Sequence, residues 1–242
     1  MASKRFKKIF LIRFFTYFSI ITGFIIMLAQ FGPVLSVEIN YRLDQITGKK
    51  HQLAQTVITS QGQIQSEDIL EGGANPEPQA LEGFGDVAAS GEDLIKPVST
   101  EFGLVIEKIN ANAKIVPQVD PGIEKDYVAA LKEGIAQAKG STEPGEDGNL
   151  FLFSHSTDAP WNITRYNAIF YLLRELESGD RVIVFYKNRR FDYIVFDKTI
   201  TEASDISFYT NRYDKPVLTL QTCDPPGTVL KRLIVRAKLA GS

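Results

Sequence analysis

The chain has 242 residues, 44% hydrophobic and 23% charged, with 18 Gly and 11 Pro, which excludes a wholly disordered or collagen-like polymer and suits one or two globular units. A formal net charge of −2 gives no global basic field, so composition points to no nucleic-acid partner. The single cysteine, Cys223, excludes an intramolecular disulfide framework and a multi-cysteine zinc site, and two histidines, His51 and His155, exclude a histidine-rich metal cluster.

Residues 1–13 hold Lys4, Arg5, Lys7, Lys8 and Arg13 and no acid, so the remainder of the chain is net acidic. From Phe14 to Val37 there is no charged residue, and at about 1.5 Å per residue this run is long enough to cross a hydrocarbon core of about 30 Å. It exceeds the roughly 7–15 apolar residues of a cleaved signal, and the residues near its end make a poor small-x-small cleavage site. The expectation is an uncleaved single-pass anchor over 14–37, with 1–13 as a cytoplasmic tail and the chain after Glu38 outside the cell membrane. Pro33 lies near the outer end, where a kink or an early stop costs least.

Residues 38–100 read as an extracytoplasmic spacer, partly disordered. Ten acids face four bases, and Tyr41 and Phe84 are its only aromatics, too little apolar bulk to offset the entropy of ordering. A helix continuing out of the membrane is compatible with residues 41–60, and the acids from 67 to 93 keep the rest solvated. His51 is expected to be exposed and without a role.

From Glu101 onward the segments FGLVIEKI, KIVPQV, NLFLFSH, RVIVFYK, FDYIVFD, PVLTLQT and KRLIVRAKL are short, β-branched or aromatic, and bounded by turn residues, as strands are. RVIVFY and FDYIVF are joined through Lys187–Arg190 as a hairpin. Lys125–Lys139, stopping at Gly140, and Thr164–Ser178, stopping at Gly179, carry apolar residues at helical spacing and are predicted helices. Most strands lack a helical crossover, so 101–242 is predicted to be a mainly β, closed barrel with two helices packed outside.

The chemistry-bearing residues lie at strand ends. Cys223 ends an apolar strand before a Pro-Pro-Gly turn, a position that suits either a nucleophile or a small buried core residue. His155 ends the strand NLFLFSH before a polar loop, where it is either a structural histidine or a proton carrier. Alternation places Arg232, Ile234 and Arg236 on one face of their strand and Leu233 and Val235 on the other, so Arg232 is either an exposed barrel arginine or an oxyanion donor.

The run Thr219-Leu220-Gln221-Thr222-Cys223, followed nine residues after the cysteine by Arg232 in an Arg-Leu-Ile-Val strand, resembles the sortase signature. Three further stretches match in family order: Ala130–Gly134 with Gly140-Ser141 and Pro144–Phe151 leading into a histidine strand, Ser154-His155-Ser156, and the turn Leu176–Val184. The resemblance covers roughly 102–239. It implies a sortase-type β-barrel and a cysteine transpeptidase that cuts a Leu-Pro-x-Thr-Gly-like sorting signal between Thr and Gly. The acyl group passes to an amine of a cell-wall precursor or a pilin lysine, anchoring surface proteins to the wall. Cys223 is then the nucleophile, Arg232 the oxyanion donor and His155 the acid and base, with Thr222 lining the substrate cleft, and no cofactor or metal is called for.

The chain departs from the family pattern in two places. Gln137 stands where some sortases have a second histidine, and no Asp-Pro-aromatic lid motif precedes the barrel, since Asp158-Ala159-Pro160-Trp161 follows His155. The second departure counts against pilin polymerisation, whereas the short Cys223–Arg232 connection resembles the non-housekeeping classes. The rival readings are an anchored extracellular binding module with an inert cysteine and a mainly hydrolytic cysteine peptidase.

Overall fold

The computed structural model describes residues 4–53, 94–156 and 169–241. Helix α1 (Lys4–Thr47) is a single helix of 44 residues, about 66 Å long. Its stretch Lys8–Leu28 is long and apolar enough to cross a membrane, and none of it is buried by the rest of the chain. Pro33 does not end the helix.

Beyond Glu38 the chain meets the barrel sooner than a solvated spacer would. Tyr41 is buried and belongs to the same core cluster as Ile109, Leu172 and Leu173. Burial, and after it the charge of Glu175, holds the Tyr41 phenol above the ordinary tyrosine range. Two short strands, β1 (Gln52–Leu53) and β2 (Leu94–Ile95), pair in parallel. Their Leu53 and Ile95 cover Val105, Ile183 and Phe185 on the barrel's outside. His51 departs from its expected exposure: its side chain is only 18% exposed and its Nε2 lies 3.1 Å from Asp44 Oδ2. The acidic stretch 67–93 lies outside the described residues.

Eight strands then form the closed barrel: β3 (Phe102–Ile106), β4 (Ala111–Val119), β5 (Ile135–Ala138), β6 (Gly148–Phe153), β7 (Arg181–Tyr186), β8 (Arg189–Glu202), β9 (Pro216–Asp224) and β10 (Lys231–Leu239). Their order around the barrel is β10-β8-β7-β3-β4-β5-β6-β9. Only β4–β5 and β6–β9 pair in parallel. Alternation sorts the side chains. Leu104, Ile106, Leu150, Leu152, Val182, Val184, Leu218, Leu220, Leu233 and Val235 fill the interior. The hairpin β7–β8 turns through Lys187 and Asn188 alone, at φ 49° and 59°, the left-handed pair that a two-residue turn matched to strand twist requires.

Both helix expectations need correction. Helix α2 (Glu124–Glu133) buries Ala130 and Leu131, but it ends at Gly134 and not at Gly140. The next four residues are β5, buried throughout between β4 and β6. Ile135 falls one helical turn after Leu131, so periodicity alone extends the helix; the barrel's need for a strand there overrides it. In the second case residues 164–168 lie outside the described residues. Residues 169–172 are turns, and Leu173–Glu175 form one 3₁₀ turn. Phe170, Leu173 and Leu176 are fully buried at a spacing of three, the period of a 3₁₀ helix, and they close one end of the barrel. A short helix that the sequence reading did not anticipate, α3 (Ser207–Thr210), packs Phe208 and Tyr209 over the outside near Phe151 and Phe153.

Gly134 also sits where α2 and β4 touch. A Cβ there would lie 2.3 Å from the backbone oxygen of Lys114. Backbone cannot yield as a side-chain tip can, so Gly134→Ala is expected to destabilise the fold by about 1–3 kcal/mol, read as a lower midpoint in thermal unfolding of the detergent-solubilised chain.

Candidate active site

The site is built by the register of three neighbouring strands. In the antiparallel pair β9–β10, Cys223 stands directly opposite Arg232, Gln221 opposite Ile234 and Thr219 opposite Arg236. In the parallel pair β6–β9, Phe153 is level with Gln221 and Phe151 with Thr219. The pairing runs on past the end of β6, where the Ser154 backbone N–H donates to the Gln221 carbonyl at 3.2 Å. His155 follows Ser154 directly, and the same register continued for two residues past the Phe153–Gln221 rung leads to the level of Cys223.

These residues share one face. Leu150, Leu152, Leu218, Leu220, Leu233 and Val235 point inward, so the alternate positions Phe151, Phe153, Thr219, Gln221, Cys223, Arg232 and Ile234 point outward. Three rungs result: His155–Cys223–Arg232 at the strand ends, then Phe153–Gln221–Ile234, then Phe151–Thr219–Arg236. The last is roofed over. Phe151 meets Tyr209 of α3 edge-to-face with ring centroids 5.4 Å apart, and Thr219 is fully buried with its hydroxyl donating to Asn149 Oδ1 at 2.7 Å. On the first rung His155, Cys223 and Arg232 are each half-buried. A thiol there is both fixed by strand pairing and open to a ligand.

The two arginines on this face of β10 are held differently. Arg236 pairs with Asp197 at 2.8 Å, donates to Tyr213 Oη at 3.2 Å, and lies over the rings of Phe196 and Phe208. Burial works against its charge, but Tyr213 and Asp197 more than offset this and raise its pKa above the usual arginine value. Arg232 donates through Nη1 to the carbonyls of Val229 at 3.2 Å and Lys231 at 3.1 Å. Among the described residues it makes no ion pair with a carboxylate. It is a cation oriented by backbone on the rung of the thiol, with unspent donor capacity.

Thr222 does not share this face. It points inward, is 3% exposed, and donates its hydroxyl to the Ser154 carbonyl at 2.9 Å. It ties β9 to the residue before His155. Gln137, which the sequence reading left without a role, is buried and donates through Nε2 to the Thr142 carbonyl at 3.2 Å. Ser154 and Ser156, on either side of His155, bury hydroxyls that have no hydrogen-bond partner among the described residues. No signal in the sequence set them apart from loop serines. Among the described residues no group of three or more His, Cys, Asp or Glu side chains could hold a metal ion.

Comparison with known proteins bears on the family and the fold. No curated relative matches the chain by sequence. Among solved structures, sortase A from Corynebacterium diphtheriae, as a lid mutant, is 22% identical over 60% of this chain and 72% of its own, with a TM-score of 0.50. Sortase C-1 from Actinomyces oris is 22% identical over 60% of this chain and 76% of its own, also with a TM-score of 0.50. A Clostridium perfringens sortase D5 transpeptidase is 25% identical over 58% of this chain and 79% of its own, with a TM-score of 0.48. These are likenesses of fold. The Sortase domain family model matches residues 104–240, more than half of the chain and all three residues of the first rung, and the chain therefore belongs to the sortase family.

Proposed function

We propose that this chain is a membrane-anchored cysteine transpeptidase that cleaves a Leu-Pro-x-Thr-Gly-like sorting signal between Thr and Gly and transfers the acyl group to an amine. The observation that carries the reading is the shared outer rung of Cys223 and Arg232, with His155 two residues past the end of the neighbouring strand β6. A buried, inert cysteine has no need of an arginine opposite it that is oriented by backbone carbonyls and, among the described residues, makes no ion pair with a carboxylate.

The roles follow from the chemistry of each group. The Cys223 thiolate attacks the threonyl carbonyl carbon, and the carbonyl electrons move onto oxygen. The Arg232 guanidinium keeps its charge at any physiological pH and donates to that oxyanion. The Thr–Gly C–N bond then breaks. An amine leaves poorly unless protonated, so imidazolium at His155 gives it a proton. A thioester on Cys223 remains. The incoming amine attacks it, loses a proton to His155, and expels the thiolate, which restores the starting state. A cell-wall precursor peptide or a pilin lysine supplies the amine, and water in its place gives hydrolysis. The apolar run 14–37 within α1 crosses the cell membrane, with the basic tail 1–13 in the cytoplasm and the barrel outside.

Incubation of the full chain in detergent with a Leu-Pro-x-Thr-Gly peptide library and triglycine, followed by mass spectrometry, tests the reading. The expected products are cleavage at Thr–Gly and transfer to triglycine, both absent in Cys223→Ala. Cleavage that never yields the triglycine adduct would favour a peptidase. A folded chain with no product and no alkylation of Cys223 by iodoacetamide would favour a binding module.

Arg232→Lys removes the planar fork while keeping the charge. The expected loss in kcat is about 10²–10³-fold, the scale of removing one oxyanion donor, with a smaller change in KM. Thr222→Val removes the hydroxyl that ties β9 to the Ser154 carbonyl and keeps its volume. It is expected to lower kcat several-fold with KM little changed, whereas Thr222→Ser retains the bond and most of the rate.

A further inference from the structure

The two ends of the barrel are not equivalent. One end collects the C-terminal ends of β3, β6, β8 and β9 and the N-terminal ends of β4, β5, β7 and β10, as the pairing directions require. Cys223, Arg232 and His155 lie at that end. So does the seat of the anchor helix: Tyr41 lines one cavity with Lys108 and Ile109, which lie between β3 and β4, and with Leu172, which precedes β7. The far end carries the Lys187-Asn188 turn and the last residues of β10.

The seat is fastened by charge. Glu38 and Arg42, one turn apart on α1, and Arg174 and Glu175, adjacent on the 3₁₀ turn, form a closed ring of alternating sign. Arg42 meets Glu38 at 3.0 Å, Glu38 meets Arg174 at 3.1 Å, Arg174 meets Glu175 at 3.4 Å, and Glu175 meets Arg42 at 3.9 Å. The 3₁₀ turn belongs to the connection that leads from His155 to β7. From Leu28, where the most apolar stretch of α1 ends, the helix rises about 20 Å to Tyr41, and from Val37, the last residue of the uncharged run, about 6 Å. The catalytic end of the barrel is thus joined to the membrane-crossing helix by the helix itself and not by a slack tether.

We propose that residues 38–47 of α1 act as a strut that holds the barrel with its catalytic end turned toward the bilayer and close to it. The cleft then works on chains presented at the membrane surface. The inference rests on the reading of α1 as a membrane anchor. It requires that the far end of the barrel stand further from the lipid than the catalytic end, and that this difference depend on the Glu38–Arg174 ring.

The absence of other cysteines makes the geometry directly measurable. In a Cys223→Ala background, Val229→Cys places a label beside the site, where Val229 is 74% exposed, and Lys238→Cys places one near the far end of β10, where Lys238 is exposed. Each labelled full-length chain is reconstituted into phosphatidylcholine vesicles carrying an acceptor dye on the lipid headgroup, and energy transfer is read. Transfer is expected to be clearly greater from Val229→Cys than from Lys238→Cys. Adding Arg174→Glu should shrink the difference, and the further exchange Glu38→Arg should restore it. Chains that float with the vesicles but transfer equally from both positions, or more from Lys238→Cys, would overturn the proposal. So would a difference indifferent to Arg174→Glu in a variant that still floats and melts as the parent does. Chains that fail to float would overturn the anchor reading itself, and the strut with it.

Discussion

Strand β9 is paired along both edges, parallel to β6 and antiparallel to β10, and the site exists only because both registers hold. A slip of one residue on either side would turn Cys223 into the barrel and bring Thr222 out. The inner face prevents the slip. Leu218 and Leu220 on β9, with Leu233, Val235 and Ala237 on β10, are each at most 4% exposed, and a slip would carry them to the surface. Burial of apolar groups is worth roughly 1.5–3 kcal/mol for a large side chain, so the core enforces the catalytic geometry without any of its residues touching the reacting groups. The inner rows of these strands provide stability and the outer rows provide chemistry.

The outer face shows the same division among charged groups. Arg236 is committed to Asp197 and Tyr213 and packed against Phe196 and Phe208, so it belongs to the wall beside α3. Arg232, four residues earlier on the same face, is oriented by two carbonyls of its own turn. Neutral acceptors aim a guanidinium without cancelling its charge, which a carboxylate at that distance would do in part. The contrast between the two arginines separates a cation with donors to spare from one spent on the wall.

Much of this was legible in the sequence, for physical reasons that can be named. Seven of the eight barrel strands announce themselves by β-branched and aromatic runs, and alternation alone puts Arg232 and Leu233 on opposite faces. Strand β5 did not announce itself: Ile135-Ala136-Gln137-Ala138 is short, lacks aromatics and continues the spacing of α2, so only the vacancy between β4 and β6 identifies it. The 3₁₀ plug failed in the opposite way. Phe170, Leu173 and Leu176 imitate a helical stripe because periods of 3.0 and 3.6 scarcely diverge over seven residues. At the site, the strand-end positions of Cys223 and Arg232 could be read from the sequence, while the roles of Cys223, His155 and Arg232 rest on the family motif. The inward turn of Thr222 follows from alternation against Cys223, yet its neighbour in the motif drew attention to the cleft instead. The burial of Ser154 and Ser156 depends on how the chain leaves β6, which no local pattern encodes.

The stretch after the membrane run shows how little apolar material is needed to make a definite contact. Tyr41 is one of two aromatics between residues 38 and 100, and it enters the core cluster. A single buried tyrosine fastens a helix but does not choose its rotation. The four charges around it do, because alternate signs match in one setting and oppose in others. Each pair keeps at least one partner a quarter or more exposed, so each contributes only about 0.2–1 kcal/mol. Their value lies in orientation: a ring of four is satisfied at one angle of α1 against the 3₁₀ turn, and that angle fixes how the barrel, and with it the Cys223–Arg232 rung, is set against α1.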